Sequence, residues 1–391
     1  MYYKQIVPIK KKKKTKKQET PEERRQREAG KIIWLNEKTK IDVSNPTQVA
    51  NLILDGQSGG GKSYALGVIA NQFKDVVLFD VIGGVEKTLK EQGVFDEWKH
   101  YSLGYKAQRK TNLIKINVSS LCSIKILSIL KDEWKTQRGA RARKYFKEFF
   151  MLPPSHPKKN YQEFARLCEA THKEVLLEEL DAILSPTDDG LKISEFLNGK
   201  KIINTESIEQ ENRSVPILMN SFFYHRTRGM AETKRKRKKA NPTHENLPEN
   251  RLLIGVDDAQ MTSSVFKRTI GNLFSLARKY NISALVAGTN LGELSTQTKA
   301  NANILLLFNA KFDEDAIRNK LGLYDVDFYS LSERKQETGE KGWCIFSIRD
   351  HPFYSKPRIV RPNLFYLQGK PVVEESVATF DTRELYGKLR I

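Results

Sequence analysis

Two short polar segments of the chain carry residue types suited to nucleotide chemistry. Residues Gly56–Ser63, with the sequence GQSGGGKS, match the pattern G-x-x-x-x-G-K-[ST] of a phosphate-binding loop. Glycines let successive backbone amides approach phosphate oxygens, and the N-terminus of the following helix adds a favourable dipole. We predict that a nucleoside triphosphate binds to Gly56, Gln57, Ser58, Gly59, Gly60, Gly61, Lys62, Ser63 and Tyr64.

Four residues of these segments have separate predicted roles. The Lys62 ammonium is expected to contact the β- and γ-phosphates, and the Ser63 hydroxyl to bind Mg²⁺. The second segment, Asp257-Asp258, ends the apolar run Leu252–Val256 and so has the form of a Walker B strand. Asp257 is predicted to hold the Mg²⁺ shell through water, and Asp258 to orient or deprotonate the attacking water.

Apolar runs predict the strands that must position these residues. Leu52–Leu54 precede the loop, as a buried parallel strand requires, and helical spacing follows it. The run Val76–Val81 predicts a second strand reached through that helix, which makes a βαβ unit and a parallel sheet. Ile282–Asn290 is predicted to be another strand, whose polar end, Thr289 or Asn290, faces the γ-phosphate as a sensor.

Weaker patterns predict the other elements. Helices are expected over residues 120–150, 161–184, 265–280 and 312–321. Further strands are expected over residues 32–35, 41–43, 113–118, 215–219, 222–224, 303–308 and 343–348.

Composition divides the chain into a core and additions. Residues 1–30 are rich in lysine and poor in apolar residues, so they are predicted to be a disordered basic tail. Residues 31–110 and 251–365 are assigned to the two halves of a nucleotide-binding core, and residues 366–391 to a C-terminal tail. Residues 111–250 are interpreted as a helical, basic insertion, or as a solvated helical cap without a ligand.

The charge of the chain predicts its partner. A formal net charge of +20 favours a polyanion, most simply nucleic acid, with an anionic membrane surface as the alternative. The basic cluster Lys234–Lys239 is a candidate contact. No apolar run approaches the length of a membrane span, and the N-terminus lacks the apolar region of a secretory signal. The expected location is the cytoplasm, the virion for a viral protein, or the nucleus in a eukaryotic host.

Taken in order along the chain, these segments resemble the FtsK/HerA superfamily of ring-forming, DNA-translocating ATPases. The family usually has Asp-Glu where this chain has Asp257-Asp258, and a glutamine sensor where it has Asn290. The resemblance implies an α/β P-loop NTPase fold, with a mainly parallel RecA/FtsK-like central sheet flanked by helices. It rests on Gly56–Ser63, Phe79-Asp80 with Gly83-Gly84, Val256–Gln260, Ala277–Ile282, Thr289-Asn290, Ala302–Phe308, Phe312–Leu321 and Gly342–Ile348.

The resemblance also implies an activity. The expected protein is an ATP-hydrolysing motor with Mg²⁺ as cofactor, which moves double-stranded DNA as a homo-oligomeric ring in viral genome packaging or plasmid transfer. No arginine in the two segments is placed to neutralise the γ-phosphate, so a neighbouring subunit is expected to supply one. Arg278 is the first candidate, unless it is an ordinary helix-end cation, and Arg318 is the second. One alternative is a nucleotide-dependent switch or a structural P-loop protein that binds nucleic acid without translocation. Another is a membrane-linked secretion ATPase.

Overall fold

The computed structural model describes most of the predicted core and part of the predicted insertion. Three predicted features lie outside the described residues: the cluster Lys234–Lys239, the helix over 312–321, and Arg318. Most of the basic tail lies outside them as well. The described residues are 28–36, 39–43, 50–103, 112–121, 137–153, 155–187, 190–206, 213–226, 251–262, 264–308, 331, 333, 336–338, 342–348, 358–363 and 377–379.

Most of the described strands form one large sheet. Numbered β1–β13 along the chain, they span Ile32–Trp34, Lys40–Asp42, Asn51–Gly56, Asp75–Asp80, Trp98–Ser102, Asn112–Leu113, Lys200–Asn204, Leu252–Asp257, Ile282–Gly288, Ile304–Phe308, Cys344–Ile348, Arg358–Val360 and Val377–Thr379. Ten of them lie in the order β12-β11-β10-β3-β9-β8-β4-β7-β5-β6. Pairing is parallel from β10 to β6, and β11 and β12 are antiparallel additions at one edge. A small separate sheet joins β1, β2 and β13.

Helices connect these strands. The described α-helices, numbered α1–α9 along the chain, span Lys62–Ala70, Gly84–Glu91, Gln137–Met151, Tyr161–Ala170, Glu174–Asp181, Ile193–Phe196, residues 214–226, Ser264–Leu276 and Thr296–Asn301. Short 3₁₀ segments follow β8, α8 and β9, at Ala259–Met261, Ala277–Tyr280 and Leu291–Glu293. Within the described residues, no helix has the length and apolar character needed to cross a membrane.

The large sheet has an apolar core on each face. Leu52 and Leu54 of β3 belong to one core, where Leu66 and Ile69 of α1 also lie. Ile53 of β3 points the other way, into a core shared with α3, α4, α7 and α8. Because both faces are covered, β3 is buried along its whole length, and its middle residues Leu52–Leu54 are continuously apolar rather than alternating.

The strand order brings the predicted site segments together. β3, β9 and β8 are neighbours, and β4 lies beside β8. All four run parallel, so their carboxyl ends meet at one edge of the sheet, where ligands bind in open α/β folds. Asp80 of β4 pairs in register with Asp257 of β8 at this edge.

The structure confirms the parallel α/β sheet and the two strands predicted near residues 32–35 and 41–43, which pair antiparallel as β1 and β2, and it corrects three local predictions. The strand pair predicted over 215–219 and 222–224 is helix α7. A short continuous apolar run does not distinguish a strand from a buried helix. The single helix predicted over 161–184 is two helices, α4 and α5, because His172 has a left-handed φ of 56° that a right-handed helix cannot continue. Strand β6 covers only one residue of the strand predicted over 113–118.

Part of the predicted insertion joins the central sheet. Strand β7 is hydrogen-bonded between β4 and β5, and β6 extends the same sheet beyond β5. Helices α3 and α4 pack together nearby through Phe146 and Phe164, whose ring centroids are 6.0 Å apart. The described part of residues 111–250 therefore extends the core.

Candidate functional site

The glycine-rich loop connects β3 to α1 and contains positions that only glycine accommodates. Gly59 and Gly61 have φ values of 76° and 101°, in the left-handed region. A Cβ on Gly56 would lie 1.9 Å from the carbonyl oxygen of Phe308, and one on Gly61 would lie 2.6 Å from the Cα of Gly342. The loop is therefore packed against the end of β10 and the residues that lead into β11.

The outer part of the loop borders open space. A Cβ on Gly59 would have no atom within 4 Å, and the side chains of Gln57 and Ser58 are exposed. Helix α1 begins at Lys62, within the last two residues of the loop motif, with no side-chain cap and no acidic residue in its first turn. Its backbone amides and its dipole therefore favour an anion here, so the residues present fit a triphosphate.

Lys62 and Ser63 are held at the start of α1 by hydrogen bonds. The Lys62 Nζ donates to the carbonyl oxygen of Gln57 at 3.0 Å, within the loop itself. The Ser63 Oγ donates to Asp257 Oδ2 at 2.9 Å, across 194 positions of sequence. The structure thus brings together the hydroxyl and the carboxylate that were predicted to bind Mg²⁺.

Asp257 is a buried carboxyl group at the end of β8. Its pKa is raised to about 7, mainly by burial and further by the charges of Asp258 and Asp80, and hydrogen bonds from Ser63 and from the Asp258 backbone oppose part of this rise. The Asp258 N–H donates to Asp257 Oδ1 at 3.1 Å. A hydroxyl and one carboxylate, with phosphate and water completing the shell, is the donor set that Mg²⁺ prefers. The site therefore also fits this ion.

Asp80 lies beside Asp257, but its oxygens are occupied. They accept the backbone N–H groups of Gly83 at 2.9 Å and of Gly84 and Val85 at 3.1 Å. Burial raises the pKa of Asp80 to about 6, although these hydrogen bonds lower it. Asp80 thus holds the turn into α2 and adds negative charge next to Asp257.

Gln260 is a site residue that the sequence analysis did not single out. It lies in the 3₁₀ segment after β8, and its Nε2 donates to Asp258 Oδ1 at 2.9 Å. Its Oε1 accepts the backbone N–H of Thr289 at 3.2 Å. Gln260 therefore connects the acidic turn to the end of β9. Its place two residues after the Asp-Asp pair was the only signal available in the sequence.

The remaining predicted site residues are Tyr64, Asn290 and Arg278. Tyr64 is half-buried in the first turn of α1. Asn290 is exposed, accepting the Gly292 N–H at 2.8 Å and donating to Glu293 Oε1 at 3.3 Å, so its side chain bonds within its own turn. Arg278 lies in the 3₁₀ segment after α8, and its side chain is outside the described atoms. The sensor role of Asn290 and the role of Arg278 across a subunit boundary stay predictions.

Helix α3 carries a separate cationic surface, which we call the α3 basic face. The side chain of Tyr145 on this helix is also 55% exposed, whereas Phe146 and Phe150 are buried. In the described part of the chain, no carboxylate lies within ion-pair distance of the cations of this face. The face consists of the exposed residues Arg141, Arg143, Lys144 and Lys147.

Comparison with known proteins shows the fold. No protein-family model and no curated protein sequence matches the chain. The bacterial conjugative coupling protein TrwBdeltaN70 in its unbound form is 10% identical with a TM-score of 0.51, and the match covers 89% of this chain and 91% of that one. The plasmid coupling protein TrwB in complex with the GTP analogue GDPNP is 11% identical with a TM-score of 0.50, and the match covers 86% and 88%. At these identities the likeness concerns the fold, which is the predicted α/β P-loop NTPase fold.

A viral protein gives a looser match. The genome packaging NTPase B204 from Sulfolobus turreted icosahedral virus 2, in complex with AMPPCP, is 9% identical, and the match covers 82% of this chain and 100% of that one. Its TM-score of 0.33 is too low for the likeness to support an argument.

Proposed function

We propose that the chain is an ATPase of the FtsK/HerA type that uses ATP and Mg²⁺ to move double-stranded DNA. The observation that carries the nucleotide part is the hydrogen bond between Ser63 and Asp257, which joins the glycine-rich loop to β8 beside an uncapped helix N-terminus. The fold shared with TrwB supports the proposal, because that protein was solved with the GTP analogue GDPNP.

Each site residue has a task in this proposal. Lys62 places its ammonium against the β- and γ-phosphates, and Ser63 and Asp257 hold the metal ion. Bound Mg²⁺ supplies positive charge that stabilises the phosphoryl group during transfer. Asp258 orients the attacking water or accepts its proton, through the carboxylate oxygen that Gln260 does not hold.

The DNA part of the proposal is supported by charge. The chain has a net charge of +20, and the α3 basic face presents cations that no described carboxylate neutralises. Such cations bind backbone phosphates with release of counterions. The exposed ring of Tyr145 on the same helix can pack against a sugar or stack on a base.

The assembly part extends the same proposal. A homo-oligomeric ring would let Arg278 of one subunit complete the site of the next, which the described loop and acidic turn do not do by themselves. Plasmid transfer or viral genome packaging is the setting we propose for such a motor. TrwB, which shares the fold, is itself a plasmid coupling protein.

ATP hydrolysis by the full chain, with and without double-stranded DNA, tests the proposal. The wild type should hydrolyse ATP, and DNA should raise the rate. Lys62→Ala should lose ATP binding by calorimetry, because no other described cation lies in the loop. If this variant binds ATP like the wild type, the assignment of the loop is wrong. Hydrolysis that DNA leaves unchanged would favour a nucleotide-dependent switch that binds nucleic acid without moving it.

A further inference from the structure

We infer that Gln260 is a positioning residue, which holds the Asp258 carboxylate in place for hydrolysis and ties it to the end of β9. The inference rests on the proposed ATP hydrolysis and adds a residue to it. Gln260 is half-buried in the 3₁₀ segment Ala259–Met261, between the acidic turn and the carboxyl end of the neighbouring strand.

The partners of Gln260 fix the orientation of its amide. The backbone N–H of Thr289 can only donate, so the atom facing it is the amide oxygen, at 3.2 Å. An ionised Asp258 can only accept, so the atom facing it is the amide nitrogen, at 2.9 Å. Reversing the amide would place a donor against a donor and an acceptor against an acceptor. Gln260 is thus held in one orientation by both neighbours.

The surrounding backbone leaves room for this bridge. Gly288, the last residue of β9, faces the Gln260 amide, and a Cβ on it would lie 3.0 Å from Gln260 Oε1. A side chain at that position would press on the amide and disturb the hydrogen bond to Thr289. The glycine at the end of β9 therefore permits the close approach of Gln260.

Asp258 depends on this bridge for its orientation. Its backbone is left-handed, with φ 50° and ψ 46°, a conformation that residues other than glycine adopt at a cost in energy. Among the described residues, Gln260 is the side chain that donates to the Asp258 carboxylate, and it holds Oδ1. The second oxygen, Oδ2, has no described donor and is available for the proton of the attacking water. Displacing a catalytic group by about 1 Å can cost about 100-fold in rate.

The bridge also completes a continuous series of hydrogen bonds from the start of α1 to the ends of β8 and β9. Ser63 donates to Asp257, which accepts the N–H of Asp258, whose carboxylate accepts from Gln260, which accepts from Thr289. The residue after Thr289 is Asn290, the predicted sensor. Gln260 therefore sets the distance between the proposed base and the end of β9.

Two substitutions of Gln260 separate positioning from a general structural role. Gln260→Ala removes both hydrogen bonds, and we expect kcat for ATP to fall about 10- to 100-fold, with little change in KM or in ATP affinity. Gln260→Glu keeps the shape and the acceptor for Thr289, but replaces the donor to Asp258 with a second carboxylate. If Gln260 acts by donating to Asp258, the glutamate variant should be at least as slow as the alanine variant. If Gln260 only fills space, the glutamate variant should be the milder one, and that order would overturn the inference.

The division of the effect between kcat and KM gives a second readout. Loss of the hydrogen bond to Asp258 should lower kcat in both Gln260 variants and leave KM near the wild-type value. An effect confined to KM would overturn the inference. The matched control is Gln297→Ala, because Gln297 is an exposed glutamine whose amide also donates to a side chain, that of Ser275, outside the acidic turn. It should keep the wild-type kcat.

These outcomes distinguish the inference from the proposed function. If the wild type does not hydrolyse ATP, the proposed function fails and the role of Gln260 falls with it. If the wild type hydrolyses ATP and Lys62→Ala does not, the function stands. In that case, wild-type kcat in both Gln260 variants would refute the positioning role alone.

Discussion

Alanine substitutions at Gly56 and Gly59 test why the loop contains glycines. At Gly59 the left-handed backbone costs about 1–2 kcal/mol for a residue with a Cβ, but the Cβ itself would meet nothing. At Gly56 the Cβ would lie 1.9 Å from the Phe308 oxygen, well inside ordinary contact, so the end of β10 must move. Gly56 also has a positive φ, of 154°, so a backbone cost of about 1–2 kcal/mol applies there too. The overpacking adds about 1–3 kcal/mol, so we expect a total loss of about 2–5 kcal/mol at Gly56.

Chemical denaturation without nucleotide measures these losses, and calorimetry with ATP measures the function of the loop. The Gly59 variant should stay folded but bind ATP at least tenfold more weakly, because its new methyl group occupies the space proposed for phosphate. Gly84→Ala is the control, because Gly84 lies at the start of α2 with open space around its Cβ and no left-handed φ. Equal losses of stability at Gly56 and Gly59 would refute the packing argument. Unchanged ATP affinity in the Gly59 variant would refute the phosphate cradle.

Three other predictions concern the acidic turn, the α3 basic face and assembly. Asp258→Asn should cut kcat while ATP binding stays near normal, and Asp257→Asn should weaken Mg²⁺-dependent binding; equal, mild effects would contradict both roles. The pKa of Asp257 is raised to about 7, mainly by burial, and only the ionised carboxylate binds metal. The Mg²⁺ affinity of the wild type, measured by calorimetry, should therefore rise with pH up to about 7 and then level off. Changing all four cations of the α3 basic face to glutamine should reduce the slope of log affinity for DNA against log salt by up to about 3.6. The control is the same change at Lys87 and Lys90 of α2, which pair with glutamates. It should leave the slope of log affinity against log salt unaltered. A mixture of Arg278→Ala and Lys62→Ala chains should regain ATPase activity that neither has alone; a mixture that assembles but stays inactive would exclude Arg278 as the trans-acting group.

The strands of the core and the two turns at the site could be predicted because their signals are local. β3 and β8 are buried along their whole length, each contains a run of apolar residues, and each leads into a polar or glycine-rich turn. The meeting of Ser63 with Asp257 then follows from the parallel sheet, whose strands end at the same edge.

The other features of the site and the fold could not be predicted, because they depend on contacts between segments distant in sequence. Gln260 gains its role only because β8 and β9 are neighbours, so that its amide reaches Thr289. Gly56 must be a glycine partly because β10 passes beside it at Phe308, far along the chain. Helix α7 has a run of apolar residues that fits a buried strand equally well, and only its packing against α8 in the core decides between them.

Electrostatics at the edge of the sheet connects the proposed metal binding with the proposed hydrolysis. Asp80 and Asp257 end adjacent strands in register, and Asp258 follows directly, so three carboxylates gather there. Backbone amides of α2 hold Asp80, Ser63 and a backbone amide hold Asp257, and Gln260 holds Asp258. These are neutral donors, and burial still raises the pKa of Asp257 to about 7. The edge therefore favours a cation, and in the proposed complex the Mg²⁺ ion would supply that charge beside phosphates bound at the loop.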